Sequence, residues 1–394
     1  MRLKQSLLGM AFGASLLALG ACEMFQPATP PAPQIEADAG DVVDDREIVV
    51  LARTSASALS LMQKSAARGY ALKYREELED LDLVLLVLTI PANMRGDAAI
   101  RELESLEPGV SAGVNHAYHV PSPGAGATAG GGRDYAGKLL EWPAGGCRAD
   151  LTIGIIDAAV DTSDPGLAGV SISARDFTGG GQPGSDHGTV TAKILAGGGR
   201  LSGVRLQAAA VVSDHRMARA AAGVDSIVRA IDWMKGGGVR LVNISLAGPY
   251  NKILDRALSA AIAKGMIVIA AAGNTGPTSP PRYPAAFDGV IAVTAIDVER
   301  RIYDGAVQGE QIDFAAPGVD VFVPAGTGGR YVTGTSIAAP FVAARIAADP
   351  NIASARTSAD AIRALARSAQ DLGAAGRDAV YGYGLPALGG HCTP

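Results

Sequence analysis

From Leu151 onward the chain alternates short, nearly continuous apolar runs with amphipathic segments, and that alternation leaves few folds open. The apolar runs are 151–156, 207–212, 240–245, 266–271 and 289–294. Each has strand length and lacks the in–out alternation of a half-exposed strand, which suits parallel strands covered on both faces. Between them, 188–196, 224–234 and 251–264 carry apolar residues at helical spacing. This order specifies an α/β fold with a doubly wound, mostly parallel sheet, in which sites form at the carboxyl ends of strands.

Residues 47–119 follow a different pattern. Strand-like runs at 47–52, 70–74, 83–90 and 110–118 interleave with helical patterns at 55–68 and 96–106. The β-α-β-β-α-β order is that of a small ferredoxin-like α+β domain, bounded here as 46–119. It carries no catalytic constellation. His116 and His119 are expected to be exposed edge residues rather than ligands or pH sensors. Residues 120–146 are rich in Pro, Gly and Ala and read as a linker to a larger domain at 147–394. Within them Gly132-Arg-Asp-Tyr-Ala-Gly137-Lys138-Leu139 approaches a phosphate-binding loop. Leu139 stands where a hydroxyl should hold magnesium, and no strand precedes the first glycine, so that reading is rejected.

Apolar residues make up 48% of the chain and charged residues 19%, enough to build a large core and exclude wholesale disorder. A net charge of −5 without a basic run argues against nucleic acid as a partner. At the N-terminus, Arg2 and Lys4 precede an apolar stretch, Leu7 to Ala21, that is too short to span a bilayer comfortably. It ends Leu19-Gly20-Ala21-Cys22, which resembles a bacterial lipoprotein signal. The resemblance implies a signal peptide over 1–21, lipidation of Cys22 and a flexible tether over 22–45. The protein would then sit in the cell envelope, in the periplasm or at the outer membrane, held to the membrane by its lipid. The alternative is an ordinary secretory signal with an incidental cysteine. In an oxidising compartment Cys147 and Cys392 could pair as a disulfide; two free buried thiols are the other reading. Neither has ligand-spaced partners for a metal site, and no metal or cofactor is expected.

The chemistry-bearing residues lie in the larger domain. Asp157 ends the first apolar run, so its carboxylate emerges at the carboxyl edge of that strand. His187 opens the 188–196 helix, the only one of five histidines in such a setting. Asn274 follows the 266–271 strand, where its amide could donate to a developing oxyanion. Ser336, in Gly334-Thr-Ser-Ile-Ala-Ala-Pro340, stands before an Ala-rich helical run and is placed to open a buried helix. Pro340 would then fall in the first turn, where its missing N–H has no intrahelical partner. Taken singly, Ser336 reads as a helix cap and Asn274 as a turn residue.

Together the segments His187-Gly-Thr189, Asn243-Ile-Ser-Leu246, Ala271-Ala-Gly-Asn274, Tyr283-Pro-Ala285, Ala316-Pro-Gly318 and Gly334 to Pro340 resemble the subtilisin-like serine proteases over roughly 149–388. The order Asp, His, Ser is that of this family. The resemblance implies a serine endopeptidase with Ser336 as nucleophile, His187 as general base and acid, and Asp157 orienting the imidazole. Asn274 with the Ser336 N–H would form the oxyanion hole. Ser245, Leu246 and Ala247 on one side, and Ala271, Ala272 and Gly273 on the other, would wall the pocket for the residue preceding the scissile bond. Those Ala- and Gly-rich walls suggest uncharged residues at that position. The 46–119 domain is similar in pattern to subtilase propeptides, which makes the protein's own N-terminal domain an expected partner beside peptide substrates.

Three departures from the family pattern stand near the site. Ala158 and Ala159 replace a Ser/Thr-Gly pair and remove a hydroxyl that could brace the Asp157 carboxylate. Lys193 stands where a small residue is usual, so its ammonium must snorkel out or find a partner. Ala247 replaces a glycine beside the pocket. The 197–203 loop is short, and no calcium site is expected there. A catalytically silent binding protein on the same fold is the alternative function, but none of the triad residues is lost. An esterase is disfavoured because Gly-x-Ser-x-Gly is absent around Ser336.

Overall fold

The apolar runs of the larger domain do assemble as one parallel sheet. The computed structural model describes residues 41–120, 134–180, 186–213, 220–326 and 328–392. The expected signal segment 1–21, Cys22 and the tether through residue 40 lie outside them. Residues 121–133 of the expected linker, with the start of the phosphate-loop-like string, lie outside them too.

The strands are β5 (Thr152–Asp157), β6 (Ser171–Asp176), β7 (Arg205–Ala210), β8 (Leu241–Ile244), β9 (Ile267–Ala271), β10 (Val290–Ile296) and β11 (Ile312–Pro317). They lie side by side in the order β11-β10-β9-β8-β5-β7-β6, parallel throughout. Three helices alternate with them: α3 (His187–Ala196), α4 (Val224–Gly236) and α5 (Lys252–Ala263). A hairpin, β12 (Val321–Ala325) and β13 (Gly328–Val332), then leads to α6 (Thr335–Ala348), followed by α7 (Ser358–Ser368). Strand β6 has no apolar run in the sequence because it is the outermost strand and mostly exposed.

Helix α6 is buried at every residue, as expected of a helix with no polar face. Pro340 is not in its first turn: the helix starts at Thr335, so the proline lies in the interior. Its missing N–H leaves the Ser336 carbonyl without the usual intrahelical donor. The Ser245 hydroxyl, buried beneath it, donates to that carbonyl at 3.1 Å. Arg345, the one charged group on α6, is wholly buried and donates to the Ala387 carbonyl (3.0 Å), Asp349 (3.3 Å) and Ser368 (3.4 Å).

The N-terminal module comprises β1 (Val42–Ala52), α1 (Ser55–Ala66), β2 (Ala71–Leu78), β3 (Leu83–Thr89), α2 (Gly96–Leu106) and β4 (Ser111–Tyr118). Its antiparallel order β4-β1-β3-β2 is the ferredoxin-like one. Strand β1 begins at Val42, ahead of the expected boundary at residue 46. Strand β3 reads Leu-Val-Leu-Leu-Val-Leu-Thr without alternation because both of its faces are covered. Val84, Leu86 and Leu88 pack under the module's own helices, whereas Leu83, Leu85 and Val87 share a core with Ile227, Ile231, Ile253 and Leu254 of α4 and α5.

The expected linker is shorter than 120–146. Residues 135–139 form a short helix, Leu140 is fully buried, the Tyr135 hydroxyl donates to the Val319 carbonyl, and the Trp142 indole donates to the Arg200 carbonyl at 3.1 Å. An aromatic pair inside a Pro/Gly/Ala-rich stretch is what ties it to the larger domain. Cys147 and Cys392 are joined as a disulfide with their Cα atoms 5.6 Å apart.

Candidate active site

Asp157 is the last residue of β5, and its carboxylate is fully buried. Its oxygens lie 2.8 and 3.0 Å from His187 Nδ1. The Ala158 N–H donates to Oδ1 at 2.6 Å and the Thr191 hydroxyl donates to Oδ2 at 2.8 Å. Thr191 and His187 are one turn apart on α3, so both face the same carboxylate. The hydroxyl that Ala158 and Ala159 fail to supply thus comes from the helix. Helical spacing from His187 was the signal that could have found it. His187 Nε2 reaches Ser336 Oγ at 3.0 Å. A neutral imidazole with its proton on Nδ1, held by Asp157, presents Nε2 as an acceptor to the serine hydroxyl.

Ser336 is the second residue of α6, where backbone N–H groups lack intrahelical acceptors. Asn274 follows β9 on a loop, and its Oδ1 accepts from both the N–H (3.0 Å) and the hydroxyl (2.9 Å) of Thr335. With its oxygen held there, the amide has its nitrogen beside Gly334. A side chain at Gly334 would have its Cβ 2.8 Å from Asn274 Nδ2 and 3.3 Å from Ser336 Oγ. Absence of that side chain leaves the space between the two groups open, so residue 334 must be glycine. Thr335 also accepts from the Gly273 N–H at 3.0 Å, which locks the loop to the helix start.

The expected pocket walls occupy distinct places. Ser245 is buried and turned to the Ser336 carbonyl, accepting from the Asn243 amide at 2.8 Å. Leu246 is fully buried, so only its backbone could face a cleft. Ala247 is paired by both backbone groups with His119 of the N-terminal module (3.0 and 2.9 Å). Ala272 is buried and bonded to the Val293 carbonyl at 2.9 Å, and Gly273 accepts from Val307 at 3.0 Å. Lys193 is buried and finds its partner in Asp164 (2.5 Å), with a further bond to the Pro324 carbonyl at 2.9 Å.

Strand β4 pairs with β1 on one side and, at Ala117 and Tyr118, runs antiparallel to Ala222–Gly223 on the other, and its continuation at His119 pairs with Ala247, so the larger domain borders its C-terminal end. Neither His116 nor His119 is an exposed edge residue. His116 Nδ1 meets the Asn251 amide at 2.8 Å, and His119 Nδ1 lies 3.2 Å from the Ala220 carbonyl. Burial pushes the His116 imidazole down to about 4, against a smaller upward pull from Asp41. A polar network also crosses this junction. Tyr74 donates to Asp225 at 2.6 Å, and the Asn115 amide bridges Asp225 (3.0 Å) and Glu47 (3.3 Å). Burial, then Asp225, raises the Tyr74 hydroxyl far above its ordinary range.

A seven-stranded parallel sheet, with Asp, His and Ser brought together at strand and helix ends, defines the subtilisin-like class of α/β proteins. The model of the Subtilase family (Peptidase_S8) matches residues 148–384, and the chain belongs to that family. The chain is 30% identical over 250 residues to the minor extracellular protease Epr of Bacillus subtilis (strain 168), covering 62% of this chain and 39% of that one. It is 32% identical over 209 residues to subtilisin DY of Bacillus licheniformis, covering 50% and 74% respectively. Among solved structures it matches fervidolysin from Fervidobacterium pennivorans, described as a keratinolytic enzyme related to subtilisin. That match has a TM-score of 0.71 and 21% identity, over 90% of this chain and 61% of that one. The chain thus spans well under half of the first relative and about three-fifths of the structural neighbour.

Proposed function

We propose that the protein is a serine endopeptidase acting outside the cytoplasm. The observation that carries the reading is the relay Asp157–His187–Ser336, with links of 2.8 and 3.0 Å. Ser336 Oγ attacks the peptide carbonyl carbon while His187 Nε2 takes its proton. Asp157 holds the Nδ1–H and stabilises the imidazolium. The oxygen that gains charge is received by the Asn274 amide and the Ser336 N–H. Collapse breaks the C–N bond, His187 returns the proton to the leaving amine, and an ester to Ser336 remains. Water, activated by the same imidazole, then releases the acid. Ser245 to Ala247 and Ala271 to Gly273 border the cleft for the residue before the cleaved bond. Extracellular relatives of the same family support the compartment.

The N-terminal module acts as intramolecular inhibitor and folding partner in this reading, because its β4 extension occupies backbone groups of Ala247 that a substrate strand would use. Cys22 carries the lipid, and the Cys147–Cys392 disulfide belongs to the oxidising compartment. With Tyr135, Leu140 and Trp142 anchored in the larger domain, separation of the module would come by displacement or by cleavage within 121–133. A fluorophosphonate probe should label the full chain at Ser336 and leave Ser336→Ala unlabelled; equal labelling sinks the assignment. Terminal sequencing of labelled material from membrane and soluble fractions would show which form is active.

A further inference from the structure

The walls bordering the cleft are apolar, but Arg282 stands between them. Its neighbour Tyr283 pairs with Gly248 through both backbone groups (2.8 and 3.0 Å), at the end of the 245–247 wall. On the other side its stem fills the space beside Gly273: a Cβ at that glycine would lie 2.9 Å from Arg282 Cγ and 3.2 Å from its Cβ. Gly273 also has φ of +103°, so glycine is required there twice over. The Nε–H of Arg282 is buried without a hydrogen-bond partner. Among the described residues no carboxylate forms an ion pair with its guanidinium. A buried donor on a permanent cation is costly until something supplies an acceptor.

We propose that Arg282 makes this site prefer an acidic residue immediately before the scissile bond, glutamate above aspartate because of its longer reach. The planar guanidinium presents parallel N–H donors that match the two oxygens of a carboxylate. This replaces the expectation of uncharged residues drawn from the Ala/Gly walls, because the wall residues leave the charge between them unneutralised. It rests on the endopeptidase reading above. One consequence concerns the module: residues 121–133 contain no acidic residue, so the site would cut its own linker slowly. Displacement of the module, or a second peptidase, would then release the cleft.

The test uses the full chain and fluorogenic peptides that differ only at the residue before the cleaved bond. Glutamate should exceed isosteric glutamine by about 10- to 100-fold in kcat/KM, the range of one hydrogen bond to a charged group. Arg282→Met, which keeps the stem against Gly273, should bring that ratio near one, and Arg282→Lys should retain part of it. Equal cleavage of the two peptides by the wild type overturns the proposal without any variant. An unchanged ratio in Arg282→Met does the same. Fluorophosphonate labelling separates the two levels: a labelled Ser336 with no acidic preference refutes this inference alone, and an unlabelled wild type refutes the peptidase reading with it.

Discussion

Replacing Thr191 by valine would remove one hydroxyl and almost no volume from a site where a buried carboxylate has three kinds of donor. Asp157 keeps the Ala158 N–H at 2.6 Å and the His187 Nδ1–H at 2.8 Å, and loses the hydroxyl at 2.8 Å. A hydrogen bond to a charged group contributes about 1.5–3 kcal/mol, and the carboxylate is fully buried, so no water replaces the donor. The stability loss should fall in that range. At about 2–4 °C per kcal/mol for a domain of this size, the melting temperature should drop by roughly 3–12 °C. Much of the interaction is common to ground and transition states, so the rate effect should be smaller: kcat down about 3- to 10-fold, with KM unchanged. The unchanged KM follows because, among the described residues, the Thr191 hydroxyl bonds to Asp157 alone. Thr191→Ser should recover both losses. Calorimetry and steady-state kinetics on the three forms decide the matter. A valine variant with wild-type melting temperature and kcat, or one altered only in KM, would refute the claim that Thr191 replaces the hydroxyl missing at 158–159.

Asn274→Ala should lower kcat by about 10²–10³ while leaving KM within a few-fold, since in the proposed mechanism its amide serves the charge formed in the transition state. The Thr335 groups that hold Oδ1 would be left unpaired, so melting should be checked alongside kinetics. Docking of the N-terminal module should respond to pH through His116. Docked, the imidazole stays neutral down to about pH 4; undocked, it takes a proton near its ordinary value of about 6.5. Stability from a depressed histidine is fully present above the undocked value and is lost as pH falls toward 4, by up to about 3 kcal/mol. Asp232, pushed up to about 6 by burial while accepting the Asp80 and Leu81 N–H groups, works in the opposite direction. The difference between wild type and His116→Asn therefore isolates the histidine, read as co-elution of the cleaved module with the larger domain from pH 7 to 4. No difference between them would refute it. Arg345→Ala strands Asp349 in the core and should cost about 3–5 kcal/mol in denaturant titrations, and a loss under 1 kcal/mol would contradict the buried-pair reading.

Much of the architecture could be read along the chain. Continuous apolar runs located five of the seven strands of the larger sheet within a few residues, because burial on both faces demands such runs. It missed β6, which is exposed at the edge, and β11, where Asp313 interrupts the apolar pattern. Asp157, His187, Asn274 and Ser336 were singled out by their places at strand and helix ends. Thr191 was not, because this donor to Asp157 arrives from the next helix, 34 positions along the chain, and no local pattern links the two. The linker boundary shifted for a similar reason: its Pro/Gly/Ala composition hid the two aromatic anchors Tyr135 and Trp142.

Periodicity and local chemistry, which depend on neighbours a few positions apart, determined the fold class, the order of the motifs and the buried helix that carries Ser336 in its first turn. Strand β3 went further, since its lack of alternation already required a second cover on the module's sheet. Only the tertiary structure decided what that cover is, namely α4 and α5. It also decided that the Ser336 carbonyl freed by Pro340 meets Ser245, 91 positions away, and that the Arg282 stem packs beside Gly273 with its Nε–H donor unmet. Contacts of that span are set by how layers stack, and no local pattern encodes which distant side chain will face a given gap. For this protein, sequence therefore located the residues of the proposed triad, whereas packing decided which side chains brace them and which buried donor was left unmet nearby.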